Sequence, residues 1–367
     1  MKVALVHDYL NQYGGAERVL ETFCEIFPDA PVYTLFYDKK KTLGRFEGKV
    51  KSTSFLDRDI VIKNHRFFIP LMPLAASMMR LAENDYDIIL SSSAGYGKGI
   101  TGRENAPHIV YCHTPLRYAW EYHKYFNWGE FLKFITSPMF WYLRRWDYKT
   151  AQKPEIFLAN SNYIADKIKN YYGRKAEVLY PPVDLKVFYK DKKIKKCGYF
   201  LAVGRLMGYK RFDLIIEAFN KLGLPLLIVG DGPELKNLKK LVRSASINFT
   251  GFVSEAELRC MYNEAEAVIF PQIEDFGLVA AESLACGTPV IAFSQGGARE
   301  IVQNGINGIF FYQQTPDDLI MAVKKFLISS FNSQKITESA KKFSKAKFKK
   351  KILNIVENVS GVRYHVS

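Results

Sequence analysis

A chain of 367 residues is longer than one hydrophobic core usually serves, so two domains are expected. Its 48% hydrophobic content excludes a disordered chain, its five scattered cysteines offer neither a disulfide framework nor a C-x-x-C metal site, and no stretch has the roughly 20 apolar residues that cross a bilayer. The formal net charge of +15 is shared by both halves and favours polyanionic partners: nucleic acid, acidic lipid headgroups or phosphorylated substrates.

Met1 to Val6 reads as a buried strand running straight into a turn, without the apolar length or cleavage site of a signal peptide, which points to a cytoplasmic protein. Further strands are expected at Val32 to Phe36, Asp87 to Ser91, Ile109 to Cys112 and Ile156 to Asn160, with a helix from Gly15 to Phe27. The second half alternates more cleanly. Strands at Tyr199 to Val203, Leu226 to Val229, Ala267 to Phe270 and Pro289 to Phe293 are interleaved with helices at Arg211 to Leu222, Glu234 to Arg243, Glu255 to Asn263 and Leu278 to Cys286. This rhythm implies βαβ units and parallel sheets. A boundary is expected between Pro181-Pro182 and Lys196, where prolines head a Lys- and Asp-rich segment without periodicity. The chain thus divides into residues 1–185, residues 186–345, and a C-terminal helix and tail, 346–367, expected to pack back on the first domain. In such open sheets, ligands bind at the carboxyl ends of the strands, here in a cleft between the domains.

Two segments of the first half mix aromatic or apolar residues with cations. Lys63 to Arg80 holds Phe67, Phe68, Leu71, Met72, Met78 and Met79; Trp120 to Trp146 holds Trp120, Tyr122, Tyr125, Phe126, Trp128, Phe131, Phe134, Phe140, Trp141, Tyr142 and Trp146, with Lys124, Lys133, Arg144 and Arg145. Such surfaces suit the headgroup zone of an anionic membrane, and the same residues would equally serve as core helices against the sheet. The six histidines show no metal-ligand spacing, and Asp57-Arg58-Asp59 falls in an apparent loop of the first half, so no protein-held metal is expected.

Three features of the second half suit a sugar nucleotide. Gly204-Arg205-Leu206-Met207-Gly208-Tyr209-Lys210 places two cations in one strand-to-helix loop, where both can offset charge growing on a leaving diphosphate. Gly230-Asp231-Gly232-Pro233-Glu234 reads as a tight βα turn. In Glu274-Asp275-Phe276-Gly277-Leu278-Val279-Ala280-Ala281-Glu282, two glutamates eight positions apart would diverge by about 80° on one helix, so Glu274 belongs in the loop and Glu282 in a helix starting near Gly277. The free N–H groups of Gly277 to Val279 would then face phosphates, while the carboxylates accept hydrogen bonds from sugar and ribose hydroxyls.

These runs, with P-V-I-A-F-S-Q-G-G-A-R-E after them, Gly14-Gly15-Ala16-Glu17 after the first strand and Tyr111-Cys112-His113-Thr114-Pro115-Leu116-Arg117, resemble glycosyltransferase family 4 over nearly the whole chain. The resemblance implies an α/β GT-B fold of two Rossmann-like domains, the first taking the acceptor and the second the donor, and a retaining hexosyltransferase that needs no metal. It implies that Arg205 and Lys210 bind the diphosphate, Glu274 the sugar and Glu282 the ribose, with Phe276, Gly277, Leu278 and Val279 lining the donor. Gly14 and Gly15 would approach the donor phosphates from the opposite domain, and His113 would lie beside the donor sugar. The Y-C-H-T-P-L-R segment resembles mannosyltransferases of surface-polysaccharide pathways, which favours GDP-mannose as co-substrate over a UDP-sugar. A glycan or lipid-linked acceptor and an anionic membrane surface are the expected partners, and nucleic acid is not. The alternatives are a sugar-nucleotide epimerase of the same fold and a non-catalytic sugar-nucleotide-binding protein.

Overall fold

The computed structural model describes residues 1–81, 86–100, 106–122 and 130–361, with residues 130–135 described in backbone only. The chain divides into two compact units, Met1–Pro182 with Phe348–Ser367, and Val183–Lys347.

The first unit is built on a parallel sheet of β1 (Val3–His7), β2 (Val32–Thr34), β3 (Val50–Thr53), β4 (Ile88–Ser93), β5 (His108–Cys112), β6 (Ile156–Ala159) and β7 (Glu177–Val178), in the order β3-β2-β1-β4-β5-β6-β7. The central strands β1, β4 and β5 are buried along their whole length, as expected of a parallel sheet covered on both faces. The strand order reverses between β1 and β4. The helix Gly15–Ile26 buries Val19, Leu20, Phe23 and Ile26, spaced three and four apart, against this sheet. Each such side chain contributes about 1.5–3 kcal/mol on burial.

On the same side, the helix Lys345–Ser360 returns to this unit and buries Phe348, Ile352, Ile355 and Val356 in the cluster containing Phe23 and Tyr111. The Phe348 ring lies 5.8 Å from that of Phe23 and 5.6 Å from that of Tyr111. Lys349 and Lys351 pair with Glu25 and Glu177 at 2.8 and 2.6 Å, so part of the basic C-terminal stretch serves as helix anchorage.

The second unit carries β8 (Phe200–Val203), β9 (Leu226–Val229), β10 (Ile247–Gly251), β11 (Val268–Phe270), β12 (Val290–Phe293) and β13 (Gly308–Phe311), parallel and in the order β10-β9-β8-β11-β12-β13. Its order reverses between β8 and β11. The helix Phe212–Leu222 packs Phe212, Ile215, Ile216 and Phe219 into the core and ends at Gly223, whose φ of 67° is the left-handed stop that glycine adopts freely.

The two aromatic-basic segments divide between core and surface. Trp120 stacks on Tyr171 at 4.7 Å and donates its indole N–H to the buried Asp147, and Tyr122 stacks on the buried Phe140 at 4.2 Å. Asp147 also receives Lys98 and the Tyr172 hydroxyl, which ties the helix Glu130–Ala151 to its neighbours. Trp141 and Tyr142 are exposed. The side chains of Phe131, Lys133 and Phe134, and all of His123, Lys124, Tyr125, Phe126 and Trp128, lie outside the described residues, as does His365. In the other segment Met72 and Met79 are buried, while Phe67, Leu71, Leu74 and Met78 face solvent. Among the described residues no helix is long and apolar enough to cross a membrane.

Candidate functional site

The second unit assembles its site at the reversal of strand order, where the loops after β8 and β11 emerge side by side. The loop after β8 carries Arg205, which is exposed, and Lys210, which is largely enclosed. The loop after β11 carries Glu274. The Lys210 ammonium forms an ion pair with the Glu274 carboxylate, whose Oε1 also accepts from the buried Gln272 amide at 3.3 Å. Phe276 and Gly277 are buried; Leu278 and Val279 open the helix Leu278–Ala285 and are half-buried. Gly277 has φ 111°, and a Cβ there would meet the Phe270 ring at 2.8 Å, so this helix start requires glycine. The first turn of any helix presents N–H groups without intrahelical acceptors, here next to Glu274 in sequence.

Glu282 is placed differently from its loop partner. It lies in the helix after Gly277, as its spacing requires, but its side chain is buried and accepts from the Tyr262 hydroxyl at 3.1 Å.

Two glycine pairs hold these loops by close backbone approach. A Cβ on Gly230 would fall on the carbonyl of Gly204, and one on Gly232 on the backbone of Leu206. Leu206 donates its N–H to Asp231 O at 2.9 Å and accepts from Glu234 N–H at 3.1 Å. Gly230-Asp231-Gly232-Pro233-Glu234 is therefore a clasp on the Arg205 loop. Gly296 and Gly297 do the same for the other loop, where a Cβ would strike the carbonyls of Glu274 and Phe276, and Gly297 N–H reaches Glu274 O at 2.9 Å.

The first unit gathers its polar residues at the carboxyl ends of β1, β4 and β5. Asp8, just past β1, accepts from Ser93 Oγ at 3.0 Å, Ala94 N–H at 2.7 Å and Gly97 N–H, which fixes the turn after β4. Gly14 precedes the first helix and donates its N–H to the Glu17 carboxylate at 2.8 Å; Gly15 is the helix's first residue. His113, just past β5, is half-buried, with Nε2 at 2.8 Å from Ser92 Oγ and its ring edge-on to Tyr111 at 5.2 Å. Desolvation, with His7 and Arg117 nearby, pushes its imidazole pKa well down, so the ring is neutral at ordinary pH. Asp57 accepts from Tyr37 N–H at 3.1 Å, and Asp59 starts a short helix.

Gln272, the Gly296-Gly297 pair, Asp8, His7 and Ser92 were not singled out as site residues by sequence. One signal was available for the last of these: Ser91-Ser92-Ser93 fills half of a strand that is buried from end to end, and buried hydroxyls require partners.

Residues 13–187 match the family Glycosyltransferase Family 4, and residues 186–348 match Glycosyl transferases group 1. An uncharacterised glycosyltransferase of Methanocaldococcus jannaschii is 34% identical over 151 residues, 39% of this chain and 39% of that protein. The D-inositol 3-phosphate glycosyltransferase of Mycobacterium tuberculosis is 31% identical over 183 residues, 44% of this chain and 38% of that protein. The chain thus spans well under two thirds of the length of these two relatives. The crystal structure of Anabaena HepE with UDP and glucose superposes with a TM-score of 0.72 at 18% identity, covering 97% of this chain and 99% of that one. With both sheets parallel, both halves matched and this architecture shared, the chain belongs to the glycosyltransferases of GT-B fold, with a family 4 domain followed by a group 1 domain.

Proposed function

We propose that the protein is a retaining glycosyltransferase that moves a hexose from a nucleotide-diphosphate sugar to a glycan or lipid-linked acceptor. The observation that carries this reading is the Lys210–Glu274 ion pair, which joins the loop that also bears Arg205 to the loop ahead of a helix N-terminus. In this reading Arg205 and Lys210 offset the charge that develops on the leaving diphosphate, aided by the helix's first N–H groups. Glu274, held by Gln272 and Lys210, accepts hydrogen bonds from sugar hydroxyls, and Glu282 turns to the ribose on donor binding. On the family resemblance, Gly14, Gly15 and His113 are also assigned to donor contact. The leaving phosphate assists removal of the acceptor proton on the same face of the sugar, without a protein-held metal.

GDP-mannose is the favoured donor, on the resemblance of the segment around His113 to mannosyltransferases; HepE, whose structures hold UDP and UDP-glucose, keeps a UDP-sugar as the alternative. The exposed Phe67, Leu71, Leu74 and Met78, with Lys63, Arg66 and Arg80 around them, support attachment to an anionic membrane face.

The test is a thermal-shift screen over UDP, GDP, ADP and their sugars, followed by transfer assays with the stabilising donor. Stabilisation by one sugar nucleotide, lost in Lys210→Ala, supports the reading. Donor binding without turnover on any acceptor overturns the transferase assignment, and conversion of the donor without acceptor replaces it with an epimerase. Activity that survives EDTA supports the metal-free mechanism, and strict dependence on added Mn²⁺ or Mg²⁺ overturns it.

A further inference from the structure

Four polar side chains of the first unit form one continuous line. Glu17 Oε1 lies 3.7 Å from His7 Nε2, His7 Nδ1 lies 3.1 Å from Ser92 Oγ, and Ser92 Oγ lies 2.8 Å from His113 Nε2. The other Glu17 oxygen is occupied by the Gly14 N–H. Glu17, His7 and Ser92 are all buried, so solvent does not compete along the line.

A hydroxyl has a single proton. Ser92 therefore donates to one imidazole and accepts from the other, which makes the tautomers of His7 and His113 interdependent whenever both rings are neutral. Glu17 breaks the symmetry. At 3.7 Å the carboxylate oxygen is beyond hydrogen-bond length, but its negative electrostatic potential favours the His7 tautomer that carries Nε2–H on that side and keeps Nδ1 as acceptor. Ser92 then donates to His7 Nδ1 and accepts from His113 Nε2–H. We propose that Glu17 is a positioning residue that, through His7 and Ser92, fixes His113 as the Nε2–H tautomer and leaves Nδ1 as the acceptor of that ring.

The consequence rests on reading His113 as a substrate-contacting residue. An Nδ1 lone pair accepts a hydrogen bond from a sugar hydroxyl, whereas the opposite tautomer presents an N–H that cannot. The same carboxylate caps the glycine turn at Gly14, so one buried side chain sets both the turn and the ring.

Glu17→Gln separates these functions. Its amide oxygen would remain on the Gly14 N–H, which is an obligate donor, and its NH₂ would face His7. His7 would then become Nδ1–H, Ser92 would donate to His113 Nε2, and His113 would become Nδ1–H. The experiment is ¹⁵N NMR of histidine-labelled full-length protein, at a pH about two units above the ordinary imidazole value, with His113 assigned by its loss in His113→Gln. The expected result is protonated Nε2 and bare Nδ1 in the wild type, with the reverse in Glu17→Gln. Protonated Nδ1 on wild-type His113, or an unchanged tautomer in folded Glu17→Gln, overturns the proposal.

If Glu17→Gln fails to fold, the wild-type spectrum still decides, and Ser92→Ala must remove the preference of His113 for one tautomer. Transfer by Glu17→Gln is expected to fall on the order of 10²-fold, the scale for loss of one positioned hydrogen bond in the transition state, with donor KM little changed. An inverted tautomer with full activity keeps the relay and removes His113 from the substrate contacts. In that case the reading of the site fails while the relay stands.

Discussion

Lys210 and Glu274 stand 64 positions apart in sequence, and the loops after β8 and β11 bring the ammonium of one onto the carboxylate of the other. Both are largely enclosed, with side-chain exposures of 13% and 20%. Under the proposed function the pair would hold a cation in place ahead of substrate, and a diphosphate would have to compete with Glu274 for it. Lys210→Ala is expected to lower the transfer rate on the order of 10²–10³-fold. The exchange variant Lys210→Glu with Glu274→Lys keeps an ion pair but sets a carboxylate where the proposed site would hold the donor phosphate. It should fold and remain inactive. Steady-state kinetics on both variants checks this, and near-wild-type turnover in Lys210→Ala would remove the pair from the donor site.

The Gly230 and Gly232 clasp gives a prediction in which stability and binding move together. Gly230→Ala adds a methyl against the carbonyl of Gly204 at a backbone φ of 130°. Such strain costs on the order of 1–3 kcal/mol unless the loop shifts, and a shift displaces Arg205. Thermal melting should fall by several degrees, and donor affinity should fall with it. An unchanged melt together with unchanged affinity would show that the two loops do not constrain each other.

His108 makes the fold sensitive to acid. Burial, with Lys153 near, lowers its pKa to about 3, and Ser91 Oγ bonds its Nε2 at 2.6 Å. The unfolded chain binds this proton near the ordinary imidazole value of about 6.5 and the folded chain does not, so acid favours unfolding. The contribution is complete above about pH 6.5 and declines down to about pH 3, on the order of a few kcal/mol. His108→Asn should flatten the pH dependence of unfolding across that window relative to the wild type. Parallel curves for the two proteins would overturn this account.

Phe67 is 85% exposed, so its substitution reports on surface chemistry and leaves the core intact. Phe67→Asp is expected to reduce co-flotation with acidic liposomes at low salt several-fold, with no change in melting. Equal flotation of the two proteins, or none by the wild type, would count against membrane attachment.

The central strands are legible in the sequence because both faces of a parallel sheet are covered, so Val-Ala-Leu-Val and Phe-Leu-Ala-Val read as apolar runs. The strands that escape notice are β3, β7, β10 and β13, the four sheet edges. Val50-Lys51-Ser52-Thr53 and Glu177-Val178 are partly exposed and carry too few apolar positions to stand out, and β13 hides behind the turn residues of Asn304-Gly305-Ile306-Asn307. At the site, residue types at fixed spacing expose Lys210 and Glu274, because local chemistry selects them. His7 and Ser92 do not show, since their roles depend on which strands lie side by side. The Gly230 turn is visible, but its grip on the Arg205 loop appears only when the two backbones are seen to touch.

The helix Lys345–Ser360 carries a consequence for biosynthesis. The first unit is assembled from both ends of the sequence, whereas the second is one uninterrupted segment. During translation Phe23 and Tyr111 emerge early and wait through the synthesis of an entire unit before Phe348, Ile352 and Val356 arrive to cover them. The nascent first unit thus presents an uncapped apolar groove, a site for chaperones to occupy. A fragment ending at Pro182 would keep that groove open and tend to aggregate. A permuted chain that joins the last helix directly ahead of β1 would let the unit close on its own.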